Sequence, residues 1–228
     1  MAELEKHGLD RDTVVFFTSD NGGVGSYKAM GIDNNEVTSN EPLKGGKGTL
    51  YEGGVRVPFI FRWTGKIEAG ATTEQPIIST DIYPTMLELT GGSAPENQPL
   101  DGVSIVSLLT DKKPLAEREL YWHFPGYLGG RGDSWRTAPV GAIRSGDYKL
   151  LEFFEDGKLE LYNLKDDPGQ QKNLATDQAD RAKSLQEKLA GWREEIGAKM
   201  PTPITEQDKA EAKKGARKRK RGAAAEEE

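Results

Sequence analysis

The run Thr13-Val14-Val15-Phe16-Phe17-Thr18-Ser19-Asp20-Asn21-Gly22-Gly23 opens with β-branched and aromatic residues and closes with an acid, an amide and two glycines. A continuous apolar run of this kind predicts a strand buried on both faces, and the glycines end it. Ligands of open α/β sheets bind beyond the carboxyl ends of the strands, so Asp20 and Asn21 stand in a favourable place. A carboxylate beside an amide oxygen offers the hard donors that calcium and magnesium accept, with no imidazole or thiolate nearby to suit zinc or copper. Asn-Gly is equally a hairpin turn signal. These residues by themselves leave both readings open.

Before this run, residues 2–9 read as the end of a helix. After it, residues 24–56 are rich in Gly, Asn and Lys with little periodicity, and a loop of that length in a domain is usually functional or disordered. It contains Lys44-Gly45-Gly46-Lys47-Gly48-Thr49-Leu50-Tyr51-Glu52-Gly53-Gly54-Val55-Arg56. Glycines around lysines let backbone and ammonium approach an anion, although the spacing is not that of a phosphate-binding P-loop. On composition a flexible basic loop is the simpler reading. Val57 to Trp63 is a second strand candidate, and residues 81–91 form a helix that Asp81 can cap and Gly91 can end.

From residue 117 the pattern changes. Glu119 to Phe124, Val140 to Arg144, Tyr148 to Phe154 and Leu159 to Leu164 predict a four-stranded antiparallel meander. Ala179, Ala182, Leu185, Leu189, Trp192 and Ile196 recur at helical spacing, so a long helix over 178–199, capped by Asp177, should cover one face of that sheet. The first two strands raise a different problem. Buried strands need neighbours on both edges and layers on both faces, which two strands in the first 80 residues cannot supply. They therefore require a partner chain or further parts of a larger domain.

The 228 residues allow one domain or two unequal ones. Hydrophobic residues at 35% and charged residues at 30% make a polar chain that can still build a modest core. Lys and Arg number 31 against 37 for Asp and Glu, a net charge of -6, which gives a general nucleic-acid role no support. No apolar run approaches the roughly 18 residues of a membrane span, so no membrane partner is expected. The first residues carry charges where an export signal would be apolar, and this bears on location only if Met1 is the natural start. There is no cysteine, hence no disulfide, thiolate metal site or cysteine nucleophile in the chain. Residues 206–228 carry eight basic and six acidic residues, including Arg217 to Arg221 and Glu226 to Glu228, and read as a charged, solvated tail.

The two segments around Asp20 and Lys47, taken together and in this order, closely resemble the C-terminal half of the sulfatase family. The resemblance continues through Thr80-Asp81-Ile82-Tyr83-Pro84-Thr85, Leu100-Asp101-Gly102-Val103-Ser104, Tyr121-Trp122-His123-Phe124-Pro125, Arg144-Ser145-Gly146-Asp147-Tyr148-Lys149-Leu150, Glu160-Leu161-Tyr162-Asn163-Leu164 and Asp167-Pro168-Gly169. It covers roughly residues 2–200. It implies an α/β fold: the C-terminal part of an alkaline-phosphatase-like sulfatase domain over 1–112, an α+β subdomain over 113–200 with the four-stranded sheet and long helix, and a disordered tail over 201–228.

The resemblance also implies a sulfuric ester hydrolase of arylsulfatase type, with a calcium ion held beside a formylglycine nucleophile. Asp20 and Asn21 match two of the calcium ligands, and Lys47 matches the lysine that contacts sulfate, with Lys44 as a weaker substitute. His123 lies where related sulfatases approach the substrate, although a lone histidine flanked by aromatics is more often packed. Arg56 reads as a buried salt-bridge partner of Glu52 or Asp20 before it reads as an anion contact. The implied partner is a sulfated small molecule or carbohydrate, and related bacterial sulfatases are often periplasmic or secreted.

The departures from the family pattern concern the nucleophile. The family draws it from a Cys/Ser-x-Pro/Ala-x-Arg motif, whereas the nearest match here, Ser93-Ala94-Pro95-Glu96-Asn97, ends in Asn and lies in the wrong region. The chain alone is therefore expected to be inactive, with a complementing N-terminal region as a further partner. A non-catalytic binding module and a phosphonate or phosphodiester hydrolase of the same fold are the alternatives.

Overall fold

A computed structural model of the chain describes residues 1–31, 37–131, 134–203 and 205. The basic run Arg217 to Arg221 and the rest of the charged tail lie outside the described residues. After a short helix α1 (Ala2–Lys6), strand β1 (Val15–Thr18) pairs antiparallel with β2 (Phe59–Arg62), Val15 opposite Arg62 and Thr18 opposite Phe59. Among the described residues between them are a 3-10 turn at Lys28–Met30 and the one-turn helix α2 (Glu52–Val55). The two strands were expected to be buried. Instead Phe17 and Ile60 are 61% and 60% exposed, because no layer among the described residues covers them.

Helices α3 (Ile82–Leu89) and α4 (Val106–Asp111) follow. Asp81 does not cap α3 through its side chain. Its carboxylate, 1% exposed, instead accepts the amides of Ile78 and Val103 at 2.9 and 3.0 Å and the guanidinium of Arg118 through both oxygens. One buried acid thus ties three separate segments, a bidentate geometry that an arginine fork suits. A Cβ at Gly102 would overlap the Thr80 carbonyl, which accounts for the glycine beside Asp101. Helix α4 gave no clear periodic signal in the sequence; Ile105 and Leu108 bury it.

The sheet appears where the alternating pattern placed it. Strands β3 (Glu119–Phe124), β6 (Val140–Ser145), β7 (Tyr148–Phe153) and β8 (Leu159–Asn163) form one antiparallel sheet in that order. A hairpin of β4 (Leu128–Arg131) and β5 (Ser134–Thr137), unanticipated because its glycines carry no strand signal, interrupts the meander between β3 and β6. Alternation then sorts the side chains between two faces. Ile143, Leu150 and Leu161 pack under Ala182, Leu185 and Leu189 of α5 (Ala179–Glu195). Val140, Ala142, Leu151 and Tyr162 form the opposite cluster with Tyr51, Met30 and Leu50 of the long loop. Each such fully buried aliphatic side chain contributes about 1.5–3 kcal/mol.

The long helix is shorter than its apolar stripe suggested. Its N-cap is Gln178, without a side-chain bond, in place of Asp177, and Ile196 falls just beyond its end, 51% exposed. Trp192 stacks on Tyr121 at 4.7 Å, closing the edge over β3.

Candidate functional site

Strand β1 delivers the chain into a tight turn in which the Ser19 hydroxyl donates to the Asn21 carbonyl at 2.8 Å. The Gly22 amide then donates to the Gly54 carbonyl at 2.9 Å, and the Lys47 amide donates to the Gly23 carbonyl at 2.9 Å. Residues far apart in sequence therefore touch backbone to backbone. Glycine makes this possible: a Cβ at Gly22 would overlap the Gly53 carbonyl, and one at Gly46 would overlap the carbonyls of Gly23 and Gly25.

Asn40 holds this meeting point. Its side-chain oxygen accepts the Gly23 amide at 3.0 Å, while its amide nitrogen lies 3.0, 3.2 and 3.1 Å from the carbonyls of Gly23, Gly25 and Gly45. Only a short side chain that both donates and accepts can do this, so an aspartate would not substitute. The buried Tyr27 hydroxyl donates to the Lys47 carbonyl at 2.8 Å. Lys47 is thereby fixed at its amide and its carbonyl while the residue remains exposed. Among the described residues its ammonium has no ion-pair or hydrogen-bond partner, and the side chains of Asp20 (exposed) and Asn21 (half-buried) have none either. Sequence reasoning passed over Asn40 and Tyr27, which carry no chemistry of their own; an amide heading a Pro- and Gly-rich loop was the available signal.

Lys44 is employed differently. Its Nζ sits 4.3 Å from the ring centroid of Tyr51 and donates to the Tyr162 hydroxyl at 3.3 Å. Burial holds its pKa below the usual lysine range. Tyr51 and Tyr162 both donate to Glu160 Oε2 at 2.7 Å, and Lys158 donates to Oε1 at 2.8 Å. Burial pushes both phenols well above their ordinary range, and the Glu160 charge reinforces it. For Glu160 burial opposes ionisation, but the bonds from Lys158 and the two tyrosines outweigh it and lower the pKa. The result is a charged acid bound by two neutral phenols and an ammonium, fastening the glycine loop to β8.

A second clasp lies under α2. Lys149, fully buried, donates to Glu52 Oε1 at 2.7 Å, with its Nζ 5.1 Å from the Trp122 ring centroid. Burial disfavours the charged form of both groups; the attraction of Lys149 still brings Glu52 below the usual carboxylate range. Gln170, also fully buried, accepts the Glu52 amide through Oε1 at 2.6 Å. Arg56, expected as the buried partner, is exposed and acts on Glu52 only through its field. The amine on β7 takes that place because Arg56 follows the last turn of α2 and turns outward with the chain.

His123 stands on β3 opposite Gly141, with its Nε2 2.9 Å from the Lys199 carbonyl and its ring 5.4 Å from that of Phe154. The serine match Ser93 to Asn97 is an exposed irregular segment. Among the described residues no three His, Cys, Asp or Glu side chains cluster to hold a metal ion.

Residues 46–195 match the family model described as N-sulphoglucosamine sulphohydrolase, C-terminal. The chain belongs to the sulfatase family. A sulfatase of Formosa agariphila is 38% identical over 195 residues, which cover 81% of this chain and 34% of that protein. This sulfatase chain thus spans about a third of the length of that relative. Among solved structures, BT4656 in complex with its substrate D-glucosamine-2-N,6-O-disulfate superposes with a TM-score of 0.68 at 26% identity, over 88% of this chain and 38% of that one. The phosphonate monoester hydrolase of Agrobacterium radiobacter gives a TM-score of 0.61 at 28% identity, over 85% of this chain and 37% of that one. The sulfatase chain therefore has the alkaline-phosphatase-like α/β fold, with the four-stranded antiparallel sheet and C-terminal helix described above.

Proposed function

We propose that this chain carries one side of the catalytic centre of a sulfuric ester hydrolase, a site that takes a sulfated small molecule or carbohydrate. The observation that carries the reading is the bond from the Lys47 amide to the Gly23 carbonyl, which sets the glycine loop beside the Asp20-Asn21 turn. Lys47 presents an unpaired ammonium there, suited to an anionic oxygen and to the charge that builds on it as a sulfate ester is cleaved. Lys44, already bonded to Tyr162, is the poorer candidate. For His123 the bond to Lys199 and the packing on Phe154 favour a structural role over substrate contact.

Asp20 and Asn21 fit calcium by type: two oxygen donors whose side chains have no partner among the described residues. Calcium takes about 6–8 oxygens, so these two are part of a coordination sphere that others must complete. When bound, the ion supplies positive charge that favours an ionised nucleophile and a negative leaving oxygen. The family's formylglycine nucleophile has no counterpart in this sequence, which contains no cysteine, and the chain alone should be inactive. Residues 1–112 serve as part of the catalytic domain and 113–200 as a subdomain that braces it. A sulfated carbohydrate is supported by the disulfated glucosamine bound to the similar BT4656.

Calorimetric titration tests the reading. Calcium binding should be lost in Asp20→Ala and kept in Lys47→Ala, whereas sulfate binding in the presence of calcium should be lost in Lys47→Ala. Equal binding by all three proteins would contradict it, as would turnover of an aryl sulfate by the purified chain at sulfatase rates. The likeness to the phosphonate monoester hydrolase favours a second reading, phosphonate ester hydrolysis. Methylphosphonate displacing sulfate at far lower concentration would support that instead.

A further inference from the structure

The β4–β5 hairpin lies against the residue that follows Lys47. Gly48 has φ +91°, and a Cβ built on it would meet Leu128 Cδ2 at 2.7 Å and stand 3.9 Å from Arg136 Cδ. The Arg136 guanidinium sits 5.0 Å from the centroid of the Tyr27 ring, and the Tyr27 hydroxyl holds the Lys47 carbonyl. Beside it is a cavity of about 180 Å³, lined by Arg136 and Thr137 of the hairpin, Thr49 and Leu50 of the glycine loop, and Met30 and Phe153. The Arg136 Nε is buried without a hydrogen-bond partner, and no carboxylate pairs with this guanidinium among the described residues.

A buried donor left unbonded is costly, so native structures rarely keep one without use. The cavity is smaller than the roughly 300–1,000 Å³ of a site that encloses a whole drug-sized ligand, and so fits a substituent with part of its ring. Lys47 and Arg136 thus flank one stretch of loop, and neither has an ion-pair partner among the described residues.

We propose that this cavity is a second anion subsite: Arg136 receives a sulfate or carboxylate carried on the same ring as the sulfate held at Lys47, while the apolar wall packs the ring face. This rests on the Lys47 reading and adds a preference for doubly anionic rings. Arg136 is then a specificity residue, and its fork can give two parallel bonds to such a group.

The test is binding in calcium buffer of three probes: glucosamine 2-N,6-O-disulfate, glucosamine 6-O-sulfate and inorganic sulfate. The unaltered chain should prefer the disulfate, and Arg136→Ala should lose that preference by roughly tenfold or more while binding inorganic sulfate as before. Arg136→Lys should restore part of it. Ala138 also lines the cavity, and Ala138→Leu, which fills it without removing the guanidinium, should lose the preference too; it keeps the test valid if Arg136→Ala unfolds, as circular dichroism would show. An unaltered chain that binds sulfate without preferring the disulfate overturns the subsite and leaves Lys47 standing, and so does a preference that survives both Arg136→Ala and Ala138→Leu. A chain that binds no sulfate at all overturns both.

Discussion

The β1–β2 ribbon and the β3–β6–β7–β8 sheet are built from similar residues and end in opposite states. Phe16, Phe17 and Ile60 remain 37%, 61% and 60% exposed, whereas Ile143, Leu150 and Leu161 are 0% exposed. The difference lies in the layers, since α5 covers one face of the sheet and the glycine loop covers the other, while nothing described covers the ribbon. A two-stranded pairing is marginal in water. The Asp20-Asn21 turn therefore depends for its shape less on the strand that leads into it than on Asn40 and on the loop that the sheet supports.

That contrast can be broken most forcefully at the clasp between loop and sheet. Glu52→Ala leaves the buried Lys149 ammonium unpaired and should cost about 3–5 kcal/mol by urea denaturation. Adding Lys149→Met should recover most of the loss, because two neutral side chains leave no buried charge; a double variant as unstable as the single one would contradict the charge argument. In the sheet core, Leu161→Ala should cost about 2–5 kcal/mol. Phe17→Ala in the ribbon should change stability by about 0.5 kcal/mol or less, since the residue is already wet.

Acid should act on the sheet side. The folded pKa values of Glu52 and Glu160 lie below the ordinary 4.5, so their contribution is complete above that value and is lost as pH falls through the folded values. Stability should fall steeply below about pH 4.5, and Glu52→Gln, though less stable at neutral pH, should show a shallower acid slope. The smallest expected effect is on the ribbon: Phe17→Ser with Ile60→Thr should leave the melting temperature nearly unchanged and reduce self-association in sedimentation velocity. Unchanged association would place the adhesive surface elsewhere.

The sheet was legible because alternation and turn residues at Ser145-Gly146-Asp147 and Glu155-Asp156-Gly157 act locally, and the register follows from them. Counting layers showed that β1 and β2 needed cover from elsewhere, but their pairing with each other and the exposure of Phe17 and Ile60 went against the burial that the strand pattern suggested. Asp20, Asn21 and Lys47 were singled out through a resemblance, and the backbone bond from Lys47 to Gly23 is one that no periodicity encodes. The partner of Glu52 was missed for a related reason: Lys149 is 97 positions away, and an isolated lysine in an apolar strand looks like an outward-facing residue until the fold puts it under α2. Asn40 was missed because its work is to hold other residues' backbones.

The claim on which the rest depends is that the Asp20-Asn21 turn and the Lys47 loop form one site for a cation and its anion. Backbone amide NMR of the isotopically labelled chain, titrated first with calcium and then with sulfate, tests this most directly. The calcium shifts should centre on Asn21, Gly22 and Gly23 and the sulfate shifts on Gly46, Lys47 and Gly48, with the second set growing when calcium is present. Shifts confined to other parts of the chain, or calcium and sulfate responses that ignore one another, would contradict the account.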